Sequence, residues 1–202
     1  EITCVISSRG LSATLRQEEN MSKAIGMIEF KTVSAGITAA DTMVKTAQVE
    51  LLEAQTVCPG KYIALIGGAL SAVQAAVEAA KQVRGEELIG SFVLGNPHES
   101  IFPAIYGSTH IEKVNAFGIL ETYDAASIIV AADVAAKTAI VDLIELRIAK
   151  GMCGKSYLIL TGEVAAVEAA IGKAKQAAAK DGMYLDSSVI AHPDEQICRS
   201  IL

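Results

Sequence analysis

Four cysteines, Cys4, Cys58, Cys153 and Cys198, are the side chains of this sequence best suited to chemistry at a single atom. As thiolates they are nucleophiles and soft ligands that favour iron–sulfur clusters and zinc. Cys58 stands in Thr56-Val57-Cys58-Pro59-Gly60-Lys61, where Pro-Gly predicts a turn. Cys153 stands in Gly151-Met152-Cys153-Gly154-Lys155, a second glycine-marked turn. Neither belongs to a C-x-x-C pair, and an iron–sulfur cubane normally takes four cysteine ligands. Cys58 alone therefore cannot hold a cluster within one chain.

The remaining polar residues form no recognisable active site. His98, His110 and His192 follow no metal-ligand spacing, so a surface role is expected of them. No Ser-His-Asp order, P-loop or dinucleotide fingerprint is present, and Gly67-Gly68 reads as a tight turn before Ser71. Lys45 and Lys137 follow Asp41 and Asp133 by four residues, the helical spacing of an ion pair. Nothing here predicts an enzyme.

Composition narrows the classes further. The net charge is −6, with Lys and Arg scattered singly and no aromatic platform, which argues against nucleic acid as a partner. The most apolar stretch, 119–146, is broken by Glu121, Asp124, Asp133, Lys137 and Asp142, short of the roughly 20 apolar residues a spanning helix needs. Residues 1–20 lack the basic start and apolar centre of a signal peptide, and the cysteines form no disulfide framework; a reducing cytoplasm is expected. With aromatics at 4% and no Trp, the core must be built from Ala, Val, Ile and Leu.

The chain that positions these residues is duplicated. Ala24-Ile25-Gly26-Met27-Ile28-Glu29 returns 92 residues later as Ala116-Phe117-Gly118-Ile119-Leu120-Glu121. Ala39-Ala40-Asp41 and Lys45-Thr46-Ala47 return at the same offset as Ala131-Ala132-Asp133 and Lys137-Thr138-Ala139. Gly60-Lys61 matches Gly154-Lys155 at 94, and Pro97 and Glu99 match Pro193 and Glu195 at 96. A period this long marks a duplicated domain rather than a solenoid.

Each copy reads as β-α-β-β-α-β, the split-βαβ or ferredoxin-like plan of an α+β fold. In the first copy, Ile25–Phe30 predicts a strand ended by Gly36. Thr38 then caps a helix with Ala40, Met43, Val44 and Ala47 inward. Val49–Val57 and Tyr62–Ile66 predict two strands around the Pro59-Gly60 turn. Ser71 caps a second helix with Val73, Ala76, Val77 and Ala80 inward, and Ser91–Leu94 closes the unit. In the second copy Ala132, Ala135, Ala136 and Ala139 face inward on one helix, and Val167, Ala170, Ile171 and Ala174 on the other. The expected domains are 21–110 and 114–202, joined near Ser108–Val114. Residues 1–20 stand outside the repeat. Gln17-Glu18-Glu19-Asn20 before Met21 reads either as a translated ribosome-binding site, with Met21 the natural start, or as an ordinary disordered extension.

The blocks Ala-Ile-Gly-Met-Ile-Glu, Ala-Ala-Asp-x-Met-Val-Lys and Gly-x-x-x-Ala-Val-x-Ala-Ala, in this order, resemble bacterial microcompartment shell domains over residues 23–202. The resemblance implies a structural part in a shell within the cytoplasm. It also implies a homotrimer that imitates the hexamers of single-domain members and meets neighbouring shell proteins. The turn at Cys58 resembles an iron–sulfur subgroup of tandem members from propanediol-utilisation shells. In that subgroup the cysteine faces a threefold pore and holds a [4Fe–4S] cluster.

On that resemblance Val57, Cys58, Pro59 and Gly60, with Met152, Cys153 and Gly154 of the second copy, line the pore. Cys58 is the metal ligand, three chains share one cluster, and an encapsulated or cytosolic redox enzyme is a partner. Cys153 is shifted by one place, because Met152 aligns with Cys58, and reads as a loop cysteine. Cys198 aligns with Phe102 and reads as a packing residue. The resemblance makes Lys45 and Lys137 candidates for lateral assembly of tiles. The arginine of the family's usual Pro-Arg-Pro-His segment is missing from Gly95-Asn96-Pro97-His98 and from Ala191-His192-Pro193-Asp194. Two other readings stay open: a shell tile with a metabolite pore and no cluster, and a ligand-binding regulatory trimer of ferredoxin-like domains, since fold alone settles no function.

Overall fold

A computed structural model describes residues 24–111 and 113–202. The extension expected over 1–20, with Cys4 and the question of Met21, lies outside the described residues. The first copy runs β1 (Ala24–Phe30), α1 (Val33–Thr46), β2 (Val49–Val57), β3 (Lys61–Gly68), α2 (Leu70–Val83), β4 (Leu88–Gly95) and α3 (Ile101–Tyr106). The second repeats it as β5 (Ala116–Thr122), α4 (Ala125–Thr138), β6 (Val141–Arg147), β7 (Ser156–Gly162), α5 (Val164–Lys180), β8 (Tyr184–Ala191) and α6 (Glu195–Ile201). The strand orders β2-β3-β1-β4 and β6-β7-β5-β8, antiparallel throughout, are the expected split-βαβ arrangement.

Alternation along the strands decides what each sheet face meets. In β1, Ala24, Ile28 and Phe30 pack with Val73, Ala76, Val77 and Ala80 of α2 and with Ala39 and Met43 of α1. The opposite face, Ile25 and Met27 with Ile63 and Leu65 of β3, joins a core shared with α3 and the second copy. All seven residues of β1 are thus buried, as befits a strand covered on both faces. In β5, Leu120 and its neighbours pack under α4 and α5, whereas Ile119 and Glu121 on the other face are only half-buried. β1 is covered on both sides and β5 fully on one, while the edge strand β6 is packed against α3 of the first copy.

The structure corrects four local expectations. Helix α1 starts before Thr38: Thr32 is its N-cap, accepting from the Ala35 N–H at 3.3 Å, while Thr38 Oγ1 donates to the Ser34 carbonyl at 2.9 Å. Gly36 lies inside this helix rather than ending a strand, and glycine is required there because a Cβ would sit 2.4 Å from Tyr62 Cβ. Ser71 caps nothing; Ala69 precedes α2 without a side-chain cap. Val44 faces outward, while Ala40 and Met43 are buried. The inward sets of α2 and α5 are buried as expected. Helices α3 and α6 are additions to the expected order. Among the described residues no helix is long and apolar enough to cross a membrane.

Candidate functional site

Cys58 follows the last residue of β2, where the chain must reverse into β3. Val57 is buried, Cys58 is half-buried, and Pro59 and Gly60 are exposed. The Gly60 N–H donates to the Val57 carbonyl at 3.0 Å, and Gly60 takes φ +91°, a conformation that glycine adopts without penalty. The equivalent segment of the second copy carries two inserted residues, the offset between the copies growing from 92 to 94 across it. It ends on Gly154 at φ +89°, with Cys153 just before it in the left-handed region at φ +53°. Cys153 is exposed and Met152 half-buried.

The two turns touch. The Cys58 N–H donates to the Ala149 carbonyl at 3.4 Å. Gly154 lies so close that a Cβ there would be 3.3 Å from the Cys58 carbonyl oxygen and 3.2 Å from Lys61 Nζ. Two ion pairs flank this junction: Lys150 reaches across the copies to Glu53 Oε1 at 2.8 Å, and Lys61 pairs with the buried Glu29 at 2.9 Å. The fold therefore brings Val57–Gly60 and Met152–Gly154 to one end of the molecule. Among the described residues no group of three His, Cys, Asp or Glu side chains could hold a metal. The thiols of the described residues, Cys58, Cys153 and Cys198, are fewer than the four ligands a cubane cluster normally takes.

A second constellation lies along the seam between the copies. Asp133 of α4 is buried; its Oδ1 accepts from the His98 N–H at 2.8 Å and its Oδ2 from Lys137 Nζ at 2.7 Å. Lys137 Nζ also donates to the Asn96 carbonyl at 2.8 Å. Lys137 therefore binds the first copy while part of its side chain stays exposed. Lys45 and Asp41 form the same helical pair at 2.6 Å, with both side chains exposed. His110 and His192 are on the surface, whereas His98 is half-buried with Nδ1 2.8 Å from Ser100 Oγ. Cys198 is half-buried on α6, its Sγ directed to the Pro193 carbonyl.

Sequence reasoning missed a polar cluster on the open face of the second sheet. Tyr157 donates to Glu145 Oε2 at 2.6 Å, and Arg147 binds the other oxygen through Nε at 3.0 Å and through its terminal nitrogen at 2.6 Å. The Arg147 guanidinium lies over the Tyr157 ring at 5.5 Å. Burial, and then the hydrogen bond to the Glu145 carboxylate, push the Tyr157 phenol up to about 12. The same carboxylate raises Arg147 above its usual value, by hydrogen bonding first. Tyr157 lines a shallow hollow of about 210 Å³ with Ile119, Glu121, Met152 and Ile159. The available signal was Glu-x-Arg on one strand, but Tyr157 joins it only through the β6–β7 register.

Comparison with known proteins gives a consistent result. The BMC domain family matches twice, over residues 24–97 and 116–193. The bacterial microcompartment shell protein PduT of Citrobacter freundii is 39% identical over 182 residues, 90% of this chain and 99% of that protein. The carboxysome shell protein CcmK2 of Synechocystis is 39% identical over 85 residues, 40% of this chain and 82% of CcmK2. A crystal structure of a microcompartment protein from Desulfitobacterium hafniense superposes with a TM-score of 0.82 at 45% identity, covering 89% of this chain and 99% of that one.

Proposed function

The chain belongs to the bacterial microcompartment shell-protein family, and from that premise we propose that it is a trimeric shell tile whose central pore is lined by the Cys58 turns and holds a [4Fe–4S] cluster. The observation that carries the reading is the contact of the two turns. They place Cys58 and Cys153 together at one end of the seam between the copies, where a ring of three chains would gather all six.

The trimer is supported by what the single chain leaves uncovered. Ile129 on α4 is 0% exposed because it packs into the core shared by the two copies, but its counterpart Ile37 on α1 is 53% exposed. Ile101 on α3 is 0% exposed, and its counterpart Ile197 on α6 is 48% exposed. The hollow beside Tyr157 lies on the face that is covered in the first sheet. One end of the chain thus carries one half of the inter-domain interface and the other end carries its complement. Such head-to-tail interfaces either close into rings or run on as filaments. Six domains, two per chain, close a hexagonal tile with three chains.

Three Cys58 thiolates on one axis are the donor type that iron–sulfur clusters select, and they leave one iron for a ligand from outside the protein. When bound, the cluster supplies one-electron transfer between the two sides of the shell. Each chain's own part is to hold one thiol, that of Cys58, in a turn fixed by Gly60, Ala149 and Gly154. An encapsulated or cytosolic redox enzyme would exchange electrons with it. Lateral contact with neighbouring tiles falls to the exposed flanks of α1 and α4, Lys45 and Lys137 included.

Iron and acid-labile sulfide analysis of anaerobically prepared protein, with electron paramagnetic resonance, tests the cluster. The parent should contain iron, Cys58→Ser should contain none while remaining folded and trimeric, and Cys153→Ser should keep most of it. Equal iron in Cys58→Ser and parent would overturn the assignment. Iron absent from both would leave a plain metabolite pore.

A further inference from the structure

The seam inside one chain is a template for the contact between chains, and its polar part identifies partners for two residues that the isolated chain leaves exposed. Asp133 and Lys137, one turn apart on α4, grip the backbone that follows β4. The carboxylate takes the His98 N–H and the ammonium takes the Asn96 carbonyl. This grip depends on the shape of that backbone. Asn96 is left-handed at φ +52°, Pro97 follows, and the chain then enters α3.

The second copy builds the same shape after β8. His192 is left-handed at φ +51°, Pro193 follows, and the chain enters α6. Among the described residues, nothing in the chain pairs with the His192 carbonyl or the Asp194 N–H. On the opposite end, Asp41 and Lys45 have the spacing and mutual pairing of Asp133 and Lys137. The Asp41 side chain is 55% exposed where that of Asp133 is 6% exposed. One copy has a gripping pair without a backbone to hold, and the other has a backbone without a grip.

We propose that Asp41 and Lys45 clasp a second copy of this chain: the Asp41 carboxylate accepts the N–H of the partner's Asp194, and the Lys45 ammonium donates to the carbonyl of the partner's His192. The clasp rests on the trimer reading and adds to it the groups that set the strength and register of each contact. It also places Lys45 inside the tile, in the seam between chains, instead of solely at its outer edge.

The clasp between chains is not a duplicate of the one within the chain. Asp194 replaces His98, so a second carboxylate stands near Asp41. The Gln196 N–H holds that carboxylate toward the start of α6 at 2.9 Å, but its charge still opposes Asp41. Removing that charge without losing the cap should therefore tighten the contact. A residue with no part in the contact would not behave in this way.

Subunit exchange between donor- and acceptor-labelled preparations of the full chain, with mass measured in parallel by light scattering, tests the proposal. Asp41→Ala and Lys45→Met, both at exposed positions where the fold should tolerate them, are expected to speed exchange about tenfold or more, since each removes a charge-assisted hydrogen bond from every contact. Asp194→Asn keeps an N-cap residue and is expected to slow exchange. If the parent is trimeric and all three variants exchange at its rate, the clasp is wrong and the trimer stands. If Lys45→Met changes only the packing of tiles into sheets, Lys45 belongs to the tile edge. A parent that is monomeric at all concentrations would overturn both the trimer and the clasp.

Discussion

The two copies share a strand order, a helix arrangement and a turn carrying a cysteine, yet equivalent positions have opposite surroundings. Ile129 is enclosed and Ile37 is in solvent; Ile63 of β3 is enclosed and Tyr157, its equivalent on β7, borders an open hollow. The difference does not arise within either domain, since both pack their helices on one sheet face in the same way. It arises because α3 and β4 of the first copy pack against β6 and α4 of the second, whereas among the described residues α6 and the hollow over β5 and β7 have no such cover. Burial here depends on which neighbours a domain has, and the two copies have different ones within the chain.

The largest expected effect separates positions of the seam. Ile129→Ala removes a fully buried side chain from the shared core and should lower the stability of the chain by about 2–5 kcal/mol. Ile37→Ala at the equivalent exposed site should leave the chain's own unfolding within about 0.5 kcal/mol and appear instead as weaker association. Denaturant unfolding of dilute, dissociated protein measures the first, and light scattering over a concentration series measures the second. Equal losses in chain stability would mean that the copies are not in different surroundings after all.

A smaller and symmetric effect is expected where the copies agree. A Cβ on Gly26 would lie 2.6 Å from Val73 Cγ1 and 2.8 Å from Val77 Cγ2, and one on Gly118 would lie 2.7 Å from Ile171 Cγ1 and 2.8 Å from Val167 Cγ1. Both central strands approach their helix as closely as glycine allows. Gly26→Ala and Gly118→Ala should each cost about 1–3 kcal/mol by overpacking, seen as similar falls in melting temperature by calorimetry. A large loss at one glycine and none at the other would show that the helix-to-sheet packing differs between the copies.

Most of the fold was legible because its signals are local or duplicated. The inward sets Val73, Ala76, Val77, Ala80 and Val167, Ala170, Ile171, Ala174 follow from helical spacing, and the repeat confirmed each by its counterpart. The starts of α1 and α2 were misread because serine and threonine serve inside helices as well as at caps: Thr38 bonds back to Ser34, and Ala69 begins a helix with no side-chain cap. At the candidate site the turn of Cys58 was readable from Pro59-Gly60, but its contact with Ala149 and Gly154 depends on how two domains dock. The roles of Asp133 and Lys137 in the seam were hidden for the same reason. A spacing of four predicts their mutual pairing and says nothing of His98 or Asn96.

The smallest expected effect concerns a residue through which the copies differ chemically. The first copy places Glu53, Gln55 and Ile63 where the second places Glu145, Arg147 and Tyr157, so only the second can titrate a phenol on this face. Burial and the Glu145 carboxylate hold the Tyr157 proton to about pH 12, above its ordinary value of 10. A group whose pKa is raised by folding contributes stability that is complete below its unfolded pKa and is lost as pH rises through the folded one. The contribution of Tyr157 should therefore be intact below about pH 10 and should disappear between about 10 and 12. Covering of this face by a partner would push the phenol further in the same direction. The ultraviolet phenolate titration of the parent minus that of Tyr157→Phe should show one step at about 12, with the other tyrosines cancelling. Over the same range the melting temperature of the parent should fall more steeply than that of Tyr157→Phe. A difference step near 10 would mean that neither burial nor Glu145 holds the phenol, and the second sheet's open face would then be as featureless as its sequence made it look.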